Sequence, residues 1–483
     1  MRVTKKPAAL NTGSHDLPVT EELAAFMMKG WAESELTGLS ALPVAGFAKT
    51  RRERLSAQYP GKRIVLPAGT LKTRSNDTDY RFRPHTAFAY FTGYPGSEAV
   101  PDTVLVLEPN GAGHDAVLYL RPRSPKTTEE FFRDRRYGEL WVGRRLTLAE
   151  ASTLFGVEVR HIDQLSDLLA QQRETLAVRG EDPAVDEDLP PVSDEEAEFL
   201  AFLSELRLIK DEFEIEQLQA AVDATARGFE DMVRVLPEAM KEDRGERVIE
   251  GEFYGRARLE GNDVGYDSIV ASGAHACVLH WIRNDGAVKD GDLILIDAGV
   301  EVESLYTADI TRTFPVNGHF TDAQRKIYEL VLAAQEAGIA AIKPGVNYRE
   351  IHRACQQVLA KGLEELGFLP ISAEASLDPE VGIHRRWTVH SSGHMLGIDV
   401  HDCAKARSEH YLDGPLEAGM VLTVEPGLYF QPDDLLVPEE YRGIGVRIED
   451  DVVVTADGAR NLSAHLPRDP DEVERWMATL QSH

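Results

Sequence analysis

Apolar and polar positions alternate along this chain in two rhythms, separated by a stretch with neither. From Arg63 onward, short apolar runs of strand length recur: RIVLPAG, TAFAYFTGY, TVLVLEP and DAVLYLRP. Helical spacing lies between or after them, as in TLAEASTLFG. This predicts an α/β domain over residues 46–180. Residues 1–45 are polar and mixed and read as an N-terminal extension. The acidic, proline-rich EDPAVDEDLPPVSDEEAE opens a linker over residues 181–204, because it has almost no apolar period.

Residues 205–475 carry the second rhythm. Ile215, Leu218, Val222 and Phe229 mark one amphipathic helix, and Val248 to Leu259 mark a second. Strands are expected in DSIVASG, DLILIDAG and YTADITRTFPV. The order then recurs. Thr321 and Gln324 have capping-box spacing and open a helix through Ile327, Leu330, Val331 and Ala334, which stops before Pro344-Gly345. A further helix is expected from Arg349 to Leu366, and strands in TVHSSGH, GMVLTVEPG and GVRIEDDVVV. Two passes of helix, helix and strands predict a duplicated α+β domain.

Charge narrows the partners. The net charge of −29 repels phosphate backbones and anionic membranes. The best basic stretch, FFRDRRYGELWVGRR, is expected to be an ordinary strand and its flanks, so neither nucleic acid nor a membrane is an expected partner. Cys277, Cys355 and Cys403 are odd in number, and no two have CxxC spacing. This speaks against a disulfide framework or a structural zinc site and fits a reducing compartment. The first 30 residues lack an apolar core followed by a small-residue cleavage site, and no apolar run approaches 18 residues. A cytoplasmic location is the expectation.

The chemistry lies in acids at strand ends. Asp297 directly follows Leu293-Ile294-Leu295-Ile296, and Glu425 follows Val421-Leu422-Thr423-Val424. An ionised carboxylate at the end of a buried strand is costly unless paired or metal-bound. A period of two puts Asp309, Thr311 and Thr313 on one face, and Arg447 with Glu449 on another. Each pass thus supplies two acids. If the four converge, two divalent cations would neutralise them, and oxygen ligands with one imidazole suit Mn, Co, Fe or Zn. The imidazole would come from HSSGHMLGIDVHD, residues 390–402. Its glycines and the Ser-Ser pair argue against a regular helix, so this is not the HExxH pattern. Spacing alone does not choose among His390, His394 and His401. The thiol of Cys403 is expected to be a small buried group, not a ligand.

Taken together, GYDSIVASG with CVLHW, DAGVEVESLYTADITRTFPVNG, HSSGHMLGIDVHD, MVLTVEPGLY and GVRIEDD resemble the Xaa-Pro aminopeptidases (aminopeptidase P) and their prolidase relatives. The blocks span roughly residues 205–470, in order. NDTDYRFRPHTAFAYFTGYPGSEAV, residues 76–100, resembles the family's creatinase-like N-terminal domain less specifically. The resemblance implies an α/β creatinase-like domain followed by an α+β pita-bread domain with internal duplication. It implies two divalent metals, Mn foremost, on Asp297, Asp309, His394, Glu425 and Glu449. It implies peptide substrates with proline second, and a homo-oligomer, dimer or tetramer.

On this reading Glu425 handles the proton, and His280 and His401 hydrogen-bond the developing oxyanion or position the substrate. Arg447 orients a ligand carboxylate, while His390 and Tyr429 belong to the substrate pocket. Between Asp297 and Asp309 the chain is one residue longer than the family pattern. Residues 403–415 align poorly, leaving Arg407 only as a candidate substrate contact. Three rivals remain at this point. A prolidase would use the same metals on dipeptides. A creatinase would lack the ligand set, and a non-catalytic binding module would bind no stoichiometric metal.

Overall fold

The computed structural model describes residues 10–13 and 15–482, and the chain divides into two compact units, Met1–Phe199 and Leu200–His483. In the first unit a five-stranded sheet runs in the order 158–161, 114–120, 104–109, 63–67, 175–177. The three central strands are antiparallel and the two edge strands are parallel to their neighbours. Val65, Val104, Val106, Val117 and Tyr119 form its core with Leu165 and Leu169. TLAEASTLFG folds as expected. Helix Leu148–Phe155 has Thr147 and Glu150 as a reciprocal capping box and Gly156 as its left-handed end.

Several expectations fail here. TAFAYFTGY is not a strand. It forms helix Thr86–Thr92, in which every residue is buried, opened by the His85 side chain and closed by left-handed Gly93. A short run buried on all sides carries no period that separates helix from strand. The basic stretch is not a strand either. It makes two one-turn helices, Glu130–Arg133 and Glu139–Val142, broken at Gly138. Its arginines pair with acids: Arg136 with Asp102 at 2.8 Å, Arg144 with Glu150 at 2.6 Å and Arg145 with Glu130 at 3.2 Å. The expected linker, residues 181–204, contains helix Pro183–Asp188 and most of helix Glu196–Glu205. Asp182 caps Pro183–Asp188, with proline at its first turn, and the boundary between the units falls inside helix Glu196–Glu205. The extension at 1–45 contains helix Glu21–Met27 and the start of Val44–Gln58, while residues 1–9 lie outside the described residues.

The second unit has the two passes. Helices Glu212–Ala239 and Gly245–Glu260 precede strands 269–272, 293–298 and 310–315, which form one antiparallel sheet with 293–298 in the middle. Helices Asp322–Ala341 and Arg349–Glu365 precede strands 421–424, 427–429, 445–447 and 450–454. Thr321 and Gln324 do form the capping box. TVHSSGH is not a strand but an irregular loop. A side chain on Gly393 would lie 2.2 Å from the Thr423 carbonyl oxygen. The loop therefore lies with its backbone close against strand 421–424, where Thr423 N–H donates to His394 O at 2.9 Å and Leu396 N–H to Val421 O at 3.0 Å.

Two breaks matter. Strands 421–424 and 427–429 are interrupted at Glu425-Pro426, and 445–447 and 450–454 at Ile448-Glu449. Val424 pairs with Asp450 and Gly427 with Arg447, so both acids sit at the same shear in the ladder. Glu425 N–H donates instead to Ser392 O at 3.0 Å, and Glu449 N–H to Thr311 O at 3.1 Å. The second bond ties the two passes together, and Thr313 reinforces it by donating its hydroxyl to Arg447 O at 2.9 Å.

Candidate metal centre

The acids at the strand ends converge on one cavity of about 550 Å³, whose walls include Asp297, Asp309, Glu425, Glu449 and His394, along with His280, His390, His401 and Arg447. Asp297 and Asp309 approach because the turn between them closes tightly. A Cβ on Gly299 would stand 1.7 Å from Ala308 O, so only glycine fits there. Ligating atoms of Asp309, His394 and Glu449 lie within 4.8 Å of one another.

Each group is aimed by a hydrogen bond. His394 Nδ1–H donates to Met395 O at 3.1 Å, which leaves Nε2 facing Asp309 Oδ2 at 3.2 Å and Glu425 Oε1 at 3.7 Å. The Thr311 hydroxyl donates to Glu449 at 2.6 Å and accepts from Arg447 Nε at 3.1 Å. Arg447 Nη2 donates to Asp297 Oδ2 at 2.6 Å, and Nη1 donates to the Tyr429 oxygen at 3.0 Å. Tyr429 sits behind the wall. Its hydroxyl meets His390 Nε2 at 2.8 Å, while His390 Nδ1–H donates to Ser391 O at 2.7 Å. His390 is therefore a neutral ring. Burial, followed by Arg447, pulls its pKa down to about 4.

The electrostatics are those of a cluster short of positive charge. Burial, with Asp309, Glu425 and Asp297 adding to it, holds Glu449 well above the usual carboxylate range. Burial pushes Glu425 to about 7, with His394 opposing and Asp309 assisting. Burial raises Asp297 despite Arg447. Burial alone would lower His394, but Asp309 and Glu425 raise it to about 9. Among the described residues, these four carboxylates, three buried and Glu425 half-buried, thus face Arg447 and His394 as cations. Such a group must take up protons or bind cations. The hard-oxygen and single-imidazole donor set fits divalent metals.

One contributor escaped the sequence reading. Tyr266 OH lies 2.6 Å from Asp297 Oδ1 and 2.5 Å from Asp309 Oδ1, clamping the two together. It stands in the quoted GYDSIVASG block, but no period marks a tyrosine ahead of a strand as facing acids 31 and 43 residues away. Arg407, by contrast, is not in the cavity wall. It pairs with Glu205 at 2.7 Å. His401 stands edge-on to His394, with ring centroids 4.4 Å apart. His280 is exposed at the rim. Cys403 is fully buried, and burial pushes its thiol up to about 12. All three cysteines are buried and unbridged. Among the described residues no helix is long and apolar enough to cross a membrane.

Residues 216–456 match the family described as metallopeptidase family M24, and residues 48–178 match the aminopeptidase P N-terminal domain. Xaa-Pro aminopeptidase 1 of Streptomyces coelicolor is 56% identical over 466 residues, 96% of this chain and 93% of that protein. The chain belongs to metallopeptidase family M24. Its two matched domains, in this order, are the make-up of a metallo-aminopeptidase, a hydrolase. Among M24 members, the Xaa-Pro aminopeptidase of Escherichia coli K12 is 35% identical over 460 residues, 90% of this chain and 98% of that one. The solved Pseudomonas aeruginosa aminopeptidase PepP superposes with a TM-score of 0.79 at 34% identity, covering 92% of this chain and 100% of that chain. E. coli aminopeptidase P with the inhibitor Pro-Leu gives 0.77 at 33%, covering 93% and 100%. The fold is accordingly the α/β creatinase-like domain followed by the duplicated pita-bread domain.

Proposed function

We propose that this M24 member removes the first residue from peptides whose second residue is proline, using two divalent metal ions, manganese foremost. The observation that carries the reading is the buried cluster of Asp297, Asp309, Glu425, Glu449 and His394 in one open cavity. Support for the specificity comes from the Streptomyces and E. coli relatives. These five side chains would hold the metals, which when bound supply an activated water near neutral pH and polarise the scissile carbonyl.

The chain's own residues do the rest. Glu425, in the wall of the cavity beside the other acids, would accept a proton from the attacking water and return it to the proline nitrogen. Burial, then His394, lowers the pKa of His401, so it is a neutral donor for the carbonyl oxygen, with His280 at the other rim. Neutral His390, buttressed by Tyr429, offers an uncharged wall for substrate. Arg447 fixes Asp297 and Tyr429 together. Tyr266 clamps Asp297 to Asp309. Domain limits of 46–180 and 205–475, a homo-oligomeric assembly and a cytoplasmic location belong to the same reading.

The test is hydrolysis of Xaa-Pro and Xaa-Pro-Yaa-Zaa peptides by metal-stripped and Mn-reloaded protein. Metal-dependent release of the first residue from the longer peptide is expected. Cleavage of the dipeptide alone would make the chain a prolidase, and no cleavage of either with metal bound would refute peptidase action.

A further inference from the structure

Beside the metal cavity lies a second one, of about 450 Å³, that the mechanism does not use. Ser391 stands in the wall of both, an exposed ridge between half-buried His390 and buried Ser392. The second cavity is basic in a chain that is otherwise strongly acidic. Its walls include Arg349, Arg353 and Arg385, and its one carboxylate is Asp378. Arg349 is paired with Asp413 at 2.6 Å and Arg353 with Glu350. Arg385 is exposed and has no side-chain partner among the described residues. His352 shares the cavity wall and touches the ridge: its Nδ1 accepts the Ser392 N–H at 3.2 Å, so that Nε2 carries its proton. Burial, then Arg385, His384 and Arg349, lowers the pKa of His352, and Arg385 lines the same cavity as this neutral ring. Leu377, Pro379 and Leu412 supply apolar surface around the charge.

We propose that this cavity receives the downstream end of the peptide substrate and holds its C-terminal carboxylate on Arg385. This rests on the aminopeptidase reading above. Ser391 is the residue the two cavities share. A peptide crossing it spans roughly 7–11 Å, which is two to three residues beyond the scissile bond. A planar guanidinium without an ion-pair partner is matched to a terminal carboxylate. A dipeptide cannot reach it, so the cavity would set a preference for peptides of about three or four residues.

The experiment uses the metal-loaded enzyme and two peptides of one sequence, Xaa-Pro-Yaa-Zaa, one with a free carboxyl end and one amidated. The amide is expected to raise KM about tenfold. Arg385→Gln should raise KM for the acid by a similar factor and leave the amide's unchanged. Equal KM values for acid and amide with wild-type enzyme would overturn the proposal, as would an Arg385→Gln effect alike on both. Succinate is the control for a free carboxylate. Competition against the acid peptide that is lost in Arg385→Gln supports the proposal, whereas a change in kcat with both peptides would assign the cavity to a free anion and overturn it. Failure to cleave either peptide would instead refute the aminopeptidase reading itself.

Discussion

Glu246 is fully buried on helix Gly245–Glu260, and its carboxylate gathers the loop that carries His280. It accepts Ser272 N–H at 2.9 Å, Gly286 N–H at 2.7 Å, the Trp281 indole N–H at 2.8 Å and His275 Nδ1–H at 2.7 Å. The His275 and Trp281 rings stack on each other, centroids 3.8 Å apart. Glu246→Leu keeps the volume and strands all four donors. The two side-chain donors are partly exposed and can turn to water. The two backbone groups cannot do so easily, and each costs about 1–3 kcal/mol when left unpaired. Removing the buried charge returns part of this. The net expectation is a loss of about 2–4 kcal/mol, concentrated in residues 273–286. Because the five proposed ligands lie elsewhere, metal content should stay at the wild-type value while kcat/KM falls at least about tenfold through His280. Urea unfolding, metal analysis and peptide hydrolysis read the three quantities. Unchanged stability with unchanged kcat/KM would refute the reasoning, and so would an activity loss that merely follows loss of metal.

Other expectations concern the cluster and its surroundings. Tyr266→Phe removes the clamp on Asp297 and Asp309 and should weaken metal binding about 10–100-fold, read by competition with a chelating dye. Full affinity would show that the clamp is idle. Metal loading should release about two protons per chain at pH 7, because His394 at about 9 and Glu449 well above its usual range both hold protons in the stripped protein. Calorimetry in buffers of different ionisation enthalpy measures the release, and none would contradict the charge deficit. Asp450 is buried, yet Arg312 at 2.7 Å and Arg468 at 3.2 Å outweigh burial and depress it to about 2. A depressed carboxylate stabilises above its unfolded pKa and loses that contribution as pH falls through its folded value. Roughly 2 kcal/mol should therefore vanish between about pH 4 and pH 2. In Asp450→Asn, the unfolding free energy should lack that step.

Much of the second unit was legible because its signals are local. Ile215, Leu218, Val222 and Phe229 recur at helical spacing because one face of Glu212–Ala239 is buried. Thr321 and Gln324 mark a helix start because a capping box needs only residues three apart. Asp297 and Glu425 stood out because a carboxylate after four apolar residues has no cheap place in a core. The first unit was less legible at Thr86–Thr92, where burial on every side erased the period. The arginines of residues 133–145 concealed their partners, since Asp102 and Glu150 lie outside that stretch.

By itself, then, the sequence determined which segments bury a face, where helices begin, and which acids sit at the ends of apolar strands. Only the tertiary structure decided that the ladder shears at Glu425-Pro426 and Ile448-Glu449, that Tyr266 bridges two acids, and that Arg407 turns away to Glu205. The physical reason is range. Periodicity and capping act over a few residues of one chain segment. The charge balance of a buried site is set by groups more than 100 residues apart, such as Thr311 with Glu449 and Asp297 with Arg447, which meet only when both passes have packed.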